Sequence, residues 1–204
     1  DDYIIDPACG SGGFLIIALE FVWTIMEKEA NKKDWTKEFL AVKKRELASK
    51  YIAGIDKDSF LAKVTKAYMA IIGDGRGGIF CENSLLPLSE WNSKTKQKID
   101  LESFDVLVTN PPFGAKIPVR GDRTLEQYDF GFKWKRNKET RIWERTNKLQ
   151  DSQPPQILFI ERCLQLLKPG GKIAIVLPEG ILGNINDEYI RKLILDKSNI
   201  LAIV

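Results

Sequence analysis

Histidine is absent from the 204 residues, and cysteine is scarce, with single residues at positions 9, 81 and 163. Because the chain lacks both histidine and a closely spaced cysteine pair, it has no credible set of zinc ligands, and we predict no metal site. Three widely separated cysteines also argue against a disulfide framework. We therefore expect reduced thiols and a cytoplasmic location.

Long apolar runs are missing as well, since no stretch approaches the roughly 20 residues that cross a bilayer. The acidic N-terminus also lacks the pattern of a secretory signal. No membrane partner is therefore expected. The chain begins and ends in strand-like segments, "DDYIID" and "NILAIV", and this predicts a fragment of a longer protein.

Positive charge is concentrated in one part of the chain. Residues 114–153 contain ten lysines and arginines against six acidic residues, a net charge of +4, whereas the rest of the chain carries −1. A local basic segment of this kind indicates an anionic partner more than general solubility.

Strand-like and helix-like segments alternate along the sequence. Strands are predicted at 3–5, 51–55, from 79, at 104–109, at 172–178 in the centre of the sheet, and from 200 to 204. Helices are predicted from Gly13 to about 28, at 58–72, between "DSQPP" and "KPGG", and at 186–197, while the charged stretch 28–50 is expected to be a surface helix or loop. This order predicts an α/β fold with a mostly parallel, doubly wound sheet.

The glycine-rich segment "DPACGSGGF" (6–14) follows the first predicted strand. Glycines there let the chain turn sharply and let a ligand approach the backbone. The dinucleotide fingerprint fails, because Leu15 occupies the position of its last glycine and Asp56 lies 44 residues after Gly12 rather than about 20. A ligand with a ribose and a carboxylate but no phosphate suits these residues, and S-adenosylmethionine is such a ligand, its ammonium facing Asp6.

A second motif, "TNPPFG" (109–114), ends the fourth predicted strand. The Asn110 side chain and the neighbouring carbonyls can accept both hydrogens of an amino group, and Phe113 supplies a ring for stacking. This pattern is typical of a site for the exocyclic amine of a nucleobase, which has to leave a duplex to reach it.

Both motifs, together with "SQPPQILFIERCLQLLKPGGKIAIVLPEGILGN", resemble the DNA adenine-N6 methyltransferase family, in particular the modification subunits of type I restriction systems. The resemblance implies a Rossmann-like S-adenosylmethionine-dependent fold, with the glycine loop holding the methionine part, Asp56 the ribose, and Asn83 the cofactor's adenine. The implied cofactor residues are Asp6, Pro7, Ala8, Cys9, Gly10, Ser11, Gly12, Gly13, Asp56, Asn83 and Ser84. The implied catalytic residues are Asn110, Pro111, Pro112 and Phe113.

The resemblance further implies partners and an additional motif. In type I systems, sequence choice belongs to a specificity subunit, and a restriction subunit completes the enzyme. The family's upstream aromatic-Thr-Pro cofactor motif would lie before residue 1. We therefore expect residues 1–204 to be one methyltransferase catalytic core, lacking that motif and a C-terminal part, with a basic-aromatic insertion at about 114–153.

Within that insertion, "YDFGFKWKRNKETRIWERTNK" (128–148) alternates aromatic and basic residues. Such alternation pairs phosphate contacts with surfaces for base stacking. The predicted DNA-binding residues are Lys133, Trp134, Lys135 and Arg136. The alternative is a solvated flap whose aromatic residues pack on the domain.

The expected function is site-specific methyl transfer from S-adenosylmethionine to the exocyclic amine of a flipped adenine in DNA, within a restriction-modification system. Two alternatives stay open. One is methylation of guanine-N2 in ribosomal RNA or of glutamine in a protein, since related motifs serve those reactions. The other is an inactive module for DNA binding or assembly.

Overall fold

The computed structural model describes residues 2–72, 78–114 and 117–204. The chain divides into two compact units. The first contains Asp1–Ser84, Leu88–Asn110 and Leu166–Ala174, and the second contains Leu85–Pro87, Pro111–Gln165 and Ile175–Val204. The prediction of one methyltransferase core over 1–204 stays a prediction.

A five-stranded sheet forms the centre of the first unit. Its strands are β1 (Ile4–Asp6), β2 (Ile52–Asp56), β3 (Ile79–Cys81), β4 (Phe104–Thr109) and β7 (Leu167–Ile175), in the order β3-β2-β1-β4-β7. β1 pairs in parallel with β2 and β4, and β2 pairs in parallel with β3. The chain therefore runs outward from β1 in both directions, which is the switch point at which α/β sheets bind ligands. The predicted α/β fold class is confirmed.

In its described residues this unit contains four α-helices: α1 (Gly13–Lys32), α2 (Lys37–Tyr51), α3 (Ser59–Ile71) and α4 (Ser93–Lys98). Polar side chains cap the last three at their N-termini, because Thr36, Asp58 and Asn92 accept hydrogen bonds from backbone N–H groups of the first turn. The charged segment expected to be a surface helix or loop is mostly helix α2.

The core of the first unit packs α1 and α3 against β2. Leu15 and Leu19 of α1 and Met69 of α3 are fully buried with Ile52. The packing is close at Gly54, where an added Cβ would lie 2.6 Å from Leu15 Cδ1. This close contact fixes the distance between β2 and the start of α1, which immediately follows the glycine loop.

Two predictions near the C-terminus are wrong. The strand expected at 172–178 is β7, which starts five residues earlier and lies at the end of the strand order rather than in its centre. Its start lies beside β4, since Ser103 donates to the Leu166 carbonyl and Lys168 pairs with both oxygens of Asp105 at 2.9 Å. Residues 200–204 form no strand, and their side chains are exposed, because they have no strand neighbour in the described part of the chain.

The second unit contains α5 (Asp122–Leu125), β5 (Phe132–Arg136), β6 (Trp143–Leu149), most of α6 (Pro155–Leu166), α7 (Glu179–Gly183) and α8 (Glu188–Lys197). β5 and β6 form an antiparallel hairpin within the basic segment. Residues 115 and 116 of the predicted insertion lie outside the described residues. No helix in the described ranges is long and apolar enough to cross a membrane.

The hairpin is attached to α6 through a short 3-10 turn at Asp129–Gly131. The Glu161 carboxylate of α6 accepts the backbone N–H groups of Asp129 and Phe130 at 2.9 and 2.7 Å. Arg162, which is 1% exposed, donates to the Tyr128 hydroxyl at 2.9 Å. Buried charged groups need such partners, so this network ties the start of the hairpin to α6.

Candidate active site

The ends of three neighbouring strands bring Asp6, Asp56 and Thr109 to one edge of the sheet. Asp6 ends β1, Asp56 ends β2 and Thr109 ends β4. The Thr109 hydroxyl donates a 2.7 Å hydrogen bond to Oδ1 of Asp6. Asn110, the next residue along the chain, is therefore attached to a strand end that contacts the glycine loop directly.

Asp6 is a buried carboxylate, only 1% exposed. Its Oδ1 also accepts the N–H of Ala8 at 3.0 Å. Burial raises the pKa of Asp6 to about 6, and the nearby charge of Asp56 adds to the rise, while the two hydrogen bonds oppose it. The carboxylate is therefore ionised at neutral pH but titrates close to it.

Gly10 is held at both its N–H and its carbonyl by side chains from other elements. Its N–H donates to Oδ2 of Asp56 at 2.8 Å, and its carbonyl accepts the Thr65 hydroxyl at 2.7 Å. Gly10 has φ +52° and Gly12 has φ +89°, a region that favours glycine. The loop conformation therefore depends on glycine and on two side chains outside the loop.

The other two loop glycines face different surroundings. An added Cβ at Gly12 would lie 2.8 Å from Thr65 Cγ2, whereas a Cβ at Gly13 would meet no atom within 4 Å. Gly13 is also the first residue of α1, where glycine is a poor helix former. Nothing in the described chain requires glycine at Gly13, so the open space beside it suits the close approach of a ligand.

The other predicted cofactor residues lie around this loop. The partly buried Asp56 accepts the N–H of Asp58 with Oδ1 at 2.8 Å, in addition to that of Gly10 with Oδ2. Ser84 is 3% exposed and donates to the Pro7 carbonyl at 2.5 Å. The Ser84 hydroxyl thus holds the loop at Pro7. The carbonyl of Asn83 accepts the Trp91 indole N–H at 3.1 Å.

Cys9 lies in the core below the loop and is 5% exposed. Burial, together with the charges of Asp6 and Asp56, raises the pKa of its thiol to about 12. The thiol is therefore protonated at neutral pH, as expected of a packing residue rather than a nucleophile. Ser11, by contrast, is exposed.

The second motif divides between the units. Asn110 is exposed and belongs to the first unit, whereas Pro111, Pro112 and Phe113 belong to the second. Within the second unit, Pro111 is buried, Pro112 is exposed and Phe113 is 49% exposed. Gly114 follows with φ +106° and donates its N–H to Gln156 of α6 at 3.3 Å. An exposed ring on a chain segment attached to α6 is able to stack on a planar group.

Three of the four hairpin residues predicted to bind DNA contact other side chains or carbonyls of the second unit. The Trp134 ring stacks on Tyr189 of α8 at 5.4 Å, and its indole N–H donates to the Asp129 carbonyl at 3.0 Å. Arg136 lies 3.8 Å from Glu188, and Lys133 pairs with Asp151 at 3.2 Å. Lys135 is exposed. The DNA contact stays a prediction, but one face of Trp134 is used for packing.

Sequence reasoning missed Thr65 and the role of Thr109. Thr65 lies in the middle of an amphipathic helix, and no sequence signal distinguishes it from a core threonine. Thr109 precedes the asparagine of the second motif, so the sequence could place it at the end of a strand. Its hydrogen bond to Asp6 joins residues 103 positions apart and could not be inferred from the sequence. Among the described residues there is no cluster of three or more metal-ligating side chains and no disulfide.

Comparison with known proteins supplies the family. The family model named N-6 DNA Methylase matches residues 1–204. The type I restriction enzyme EcoEI methylase subunit of Escherichia coli is 27% identical over 204 residues, covering 98% of this chain and 33% of its own length. The chain thus spans about a third of that relative.

Solved structures share the fold. The modification subunit of a putative type I restriction enzyme from Vibrio vulnificus is 23% identical with a TM-score of 0.58, covering 95% of this chain and 34% of that one. A putative class I S-adenosylmethionine-dependent methyltransferase from Listeria monocytogenes is 17% identical with a TM-score of 0.53, covering 96% and 45%. The resemblance inferred from the motifs is confirmed by the family match over the whole chain, and this chain belongs to the N-6 DNA Methylase family.

Proposed function

We propose that this chain carries the catalytic part of a DNA adenine-N6 methyltransferase, which transfers a methyl group from S-adenosylmethionine to the exocyclic amine of a flipped adenine. The observation that carries the proposal is the hydrogen bond from Thr109 to Asp6. It links the glycine loop, where the donor would bind, to the residue preceding Asn110, where the acceptor would bind. The family match supports the same reaction.

The residues around the glycine loop fit S-adenosylmethionine. Gly10 and Gly13 both leave open space where a Cβ would stand, so a ligand can contact the backbone there. The ionised Asp6 complements a methionine ammonium. Asp56 accepts hydrogen bonds from two backbone N–H groups and has further lone pairs that can accept from a ribose diol. Bound there, S-adenosylmethionine supplies a methyl group on a positively charged sulfur.

The acceptor side of the site needs to orient an amine rather than to deprotonate it. The side-chain carbonyl of Asn110 and the backbone carbonyl of Pro111 accept its two hydrogens, and this favours the tetrahedral nitrogen that forms during attack. Phe113 stacks on the flipped base with its exposed ring. The nitrogen becomes acidic as it is alkylated, so its proton is lost without a strongly basic side chain.

The proposed setting is a restriction-modification system in which DNA is the substrate. The E. coli relative is a methylase subunit of a type I restriction enzyme. We infer that a specificity subunit and a restriction subunit are partners of the protein at its natural length. A cytoplasmic location, predicted from the reduced cysteines, belongs to the same proposal.

The test uses the protein at its natural length, labelled S-adenosylmethionine and three acceptors: unmethylated genomic DNA, ribosomal RNA and a cell protein extract. We expect N6-methyladenine in the DNA, identified by mass spectrometry of the nucleosides. Asn110→Ala should lower turnover by about 100-fold or more while cofactor affinity stays within about twofold. Asn31→Ala, at an exposed position near the C-terminal end of α1, is the control.

Each alternative predicts a different outcome of this experiment. Label in guanine-N2 of ribosomal RNA or in protein glutamine would replace the proposed substrate. An inactive DNA-binding or assembly module would bind no S-adenosylmethionine and transfer no label. Near-normal turnover of the Asn110→Ala variant would contradict the assigned role of Asn110.

A further inference from the structure

Thr65 of α3 is a fully buried threonine that contacts the glycine loop from outside it. Its hydroxyl donates a 2.7 Å hydrogen bond to the Gly10 carbonyl. A Cβ added at Gly12 would lie only 2.8 Å from Cγ2 of Thr65, so the two residues are in close contact. One side chain thus packs against two of the loop residues, Gly10 and Gly12.

The contact at Gly10 controls a backbone conformation that is otherwise free to change. Glycine populates both signs of φ, so φ +52° at Gly10 is not determined by the residue itself. Asp56 holds the N–H and Thr65 holds the carbonyl of the same residue. Loss of either bond would leave the two adjoining peptide planes free to rotate.

We propose that Thr65 is a positioning residue for the cofactor: it holds Gly10 and Gly12 in the conformation that leaves the ligand side of the loop open. The proposal deepens the proposed function and rests on it for the identity of the ligand. Thr65 is fully buried, and its hydroxyl is already donated to Gly10. It therefore acts through the backbone and touches neither substrate nor cofactor.

The expected effect follows from the loss of the hydrogen-bond donor to the Gly10 carbonyl. The Gly10 carbonyl is partly buried, and losing its donor destabilises the loop conformation that leaves it unpaired. The loop then spends more time outside the conformation that binds the ligand. Apparent affinity falls in proportion to the population of the competent loop. A reduction of roughly tenfold is expected, since 1.4 kcal/mol corresponds to a factor of about 10.

A serine and an alanine variant at this position separate the hydroxyl from the methyl group. Thr65→Ser keeps the donor and removes the methyl, and Thr65→Ala removes both, so the two variants differ by one oxygen atom. The matched control is the same pair at Thr95, which is also fully buried in the first unit. The Thr95 hydroxyl donates to Glu82. When that donor is removed, Glu82 still accepts hydrogen bonds from Asn92.

Two measurements are made on the protein at its natural length. Calorimetric titration with S-adenosylmethionine gives the dissociation constant of each variant. Hydrogen–deuterium exchange without ligand gives the protection of residues 6–13, compared with that of β4. A merely structural role would raise exchange in β4 as much as in the loop, whereas a positioning role raises it in the loop.

We expect Thr65→Ala to bind about tenfold more weakly than Thr65→Ser, with faster exchange confined to the loop and with both Thr95 variants near the wild type. Equal affinity and equal loop protection of the two Thr65 variants would overturn the proposal. If the wild type binds no S-adenosylmethionine, the proposed function fails. Faster loop exchange in Thr65→Ala alone would then still support the positioning role of Thr65, and unchanged exchange would overturn it.

Discussion

The hydroxyl of Thr109 donates a 2.7 Å hydrogen bond to Oδ1 of Asp6, and both residues are buried. Asp6 opens the glycine loop at the end of β1, and Thr109 ends the neighbouring strand β4 immediately before Asn110. The bond therefore couples the two segments that carry the candidate donor and acceptor residues. The same bond stabilises the ionised form of Asp6 and lowers its pKa, so the pKa of Asp6 indicates whether the bond is present.

Replacing Thr109 tests this coupling. Thr109→Val removes the donor and nearly keeps the shape, so the pKa of Asp6 should rise further, and the unfolding free energy should fall by about 1–3 kcal/mol at neutral pH. Thr109→Ser should restore both. The pKa is followed by carboxyl carbon NMR of Asp6. An unchanged pKa in the valine variant would mean that the hydroxyl does not bond to the carboxylate in solution.

The raised pKa of Asp6 predicts how stability depends on pH. The folded chain binds this proton more tightly than the unfolded chain, since the pKa rises from 3.8 to about 6. The contribution of Asp6 to stability is therefore fully present below pH 3.8 and is lost as the pH rises to about 6. The loss amounts to at most about 3 kcal/mol.

Asp6→Asn isolates this contribution, because the amide cannot ionise but still accepts from Thr109. Protection of β1 and β4 amides against exchange is measured for both proteins from pH 4 to pH 7. Wild type should lose stability relative to the variant across this range. A difference that is constant with pH would show that Asp6 does not titrate there.

Cofactor binding should depend on pH with the opposite sign. A positively charged ammonium beside Asp6 favours the carboxylate, so affinity for S-adenosylmethionine should increase as the pH rises through about 6 and level off above it. Titration calorimetry from pH 5 to pH 8 gives the profile. The step should be missing in Asp6→Asn, and its persistence there would assign it to another group.

Two adjacent glycines should respond differently to alanine. Gly12→Ala places a Cβ 2.8 Å from Thr65 in a left-handed conformation and should cost about 1–3 kcal/mol of stability. Gly13→Ala meets nothing within 4 Å and should leave stability unchanged or raise it by up to about 1 kcal/mol. It should nevertheless weaken cofactor binding. Stability is measured by thermal unfolding, and normal cofactor affinity in Gly13→Ala would show that no ligand approaches there.

The hairpin offers a test that separates packing from DNA contact. Lys135 is exposed, and Lys135→Ala should weaken DNA binding and reduce the slope of log affinity against log salt by about 1. Trp134→Ala should instead destabilise the second unit, because Trp134 stacks on Tyr189. Fluorescence anisotropy with duplex DNA at several salt concentrations measures the first effect. An unaltered slope in Lys135→Ala would remove this lysine from the DNA interface.

Local sequence patterns predicted most of the first unit. The run "FDVLVT" indicates a buried strand, and the structure has β4 at the same residues, Phe104–Thr109. The predicted helix after the glycine loop begins at Gly13 as observed, although it continues to Lys32. Both succeed because apolar periodicity over neighbouring residues is enough to specify a strand or a helix.

The sequence by itself determined strands β1 to β4, the helix after the glycine loop, the loop itself and the asparagine motif, because these depend on residues close together in the chain. Only the tertiary structure decided that β7 lies at the end of the strand order, that Trp134 packs on Tyr189, and that Thr65 and Thr109 hold the loop. The side-chain contacts among these join residues from 55 to 103 positions apart, and no local pattern encodes which buried hydroxyl meets which distant oxygen. They form when the sheet assembles, since burial then requires each polar group to find a partner.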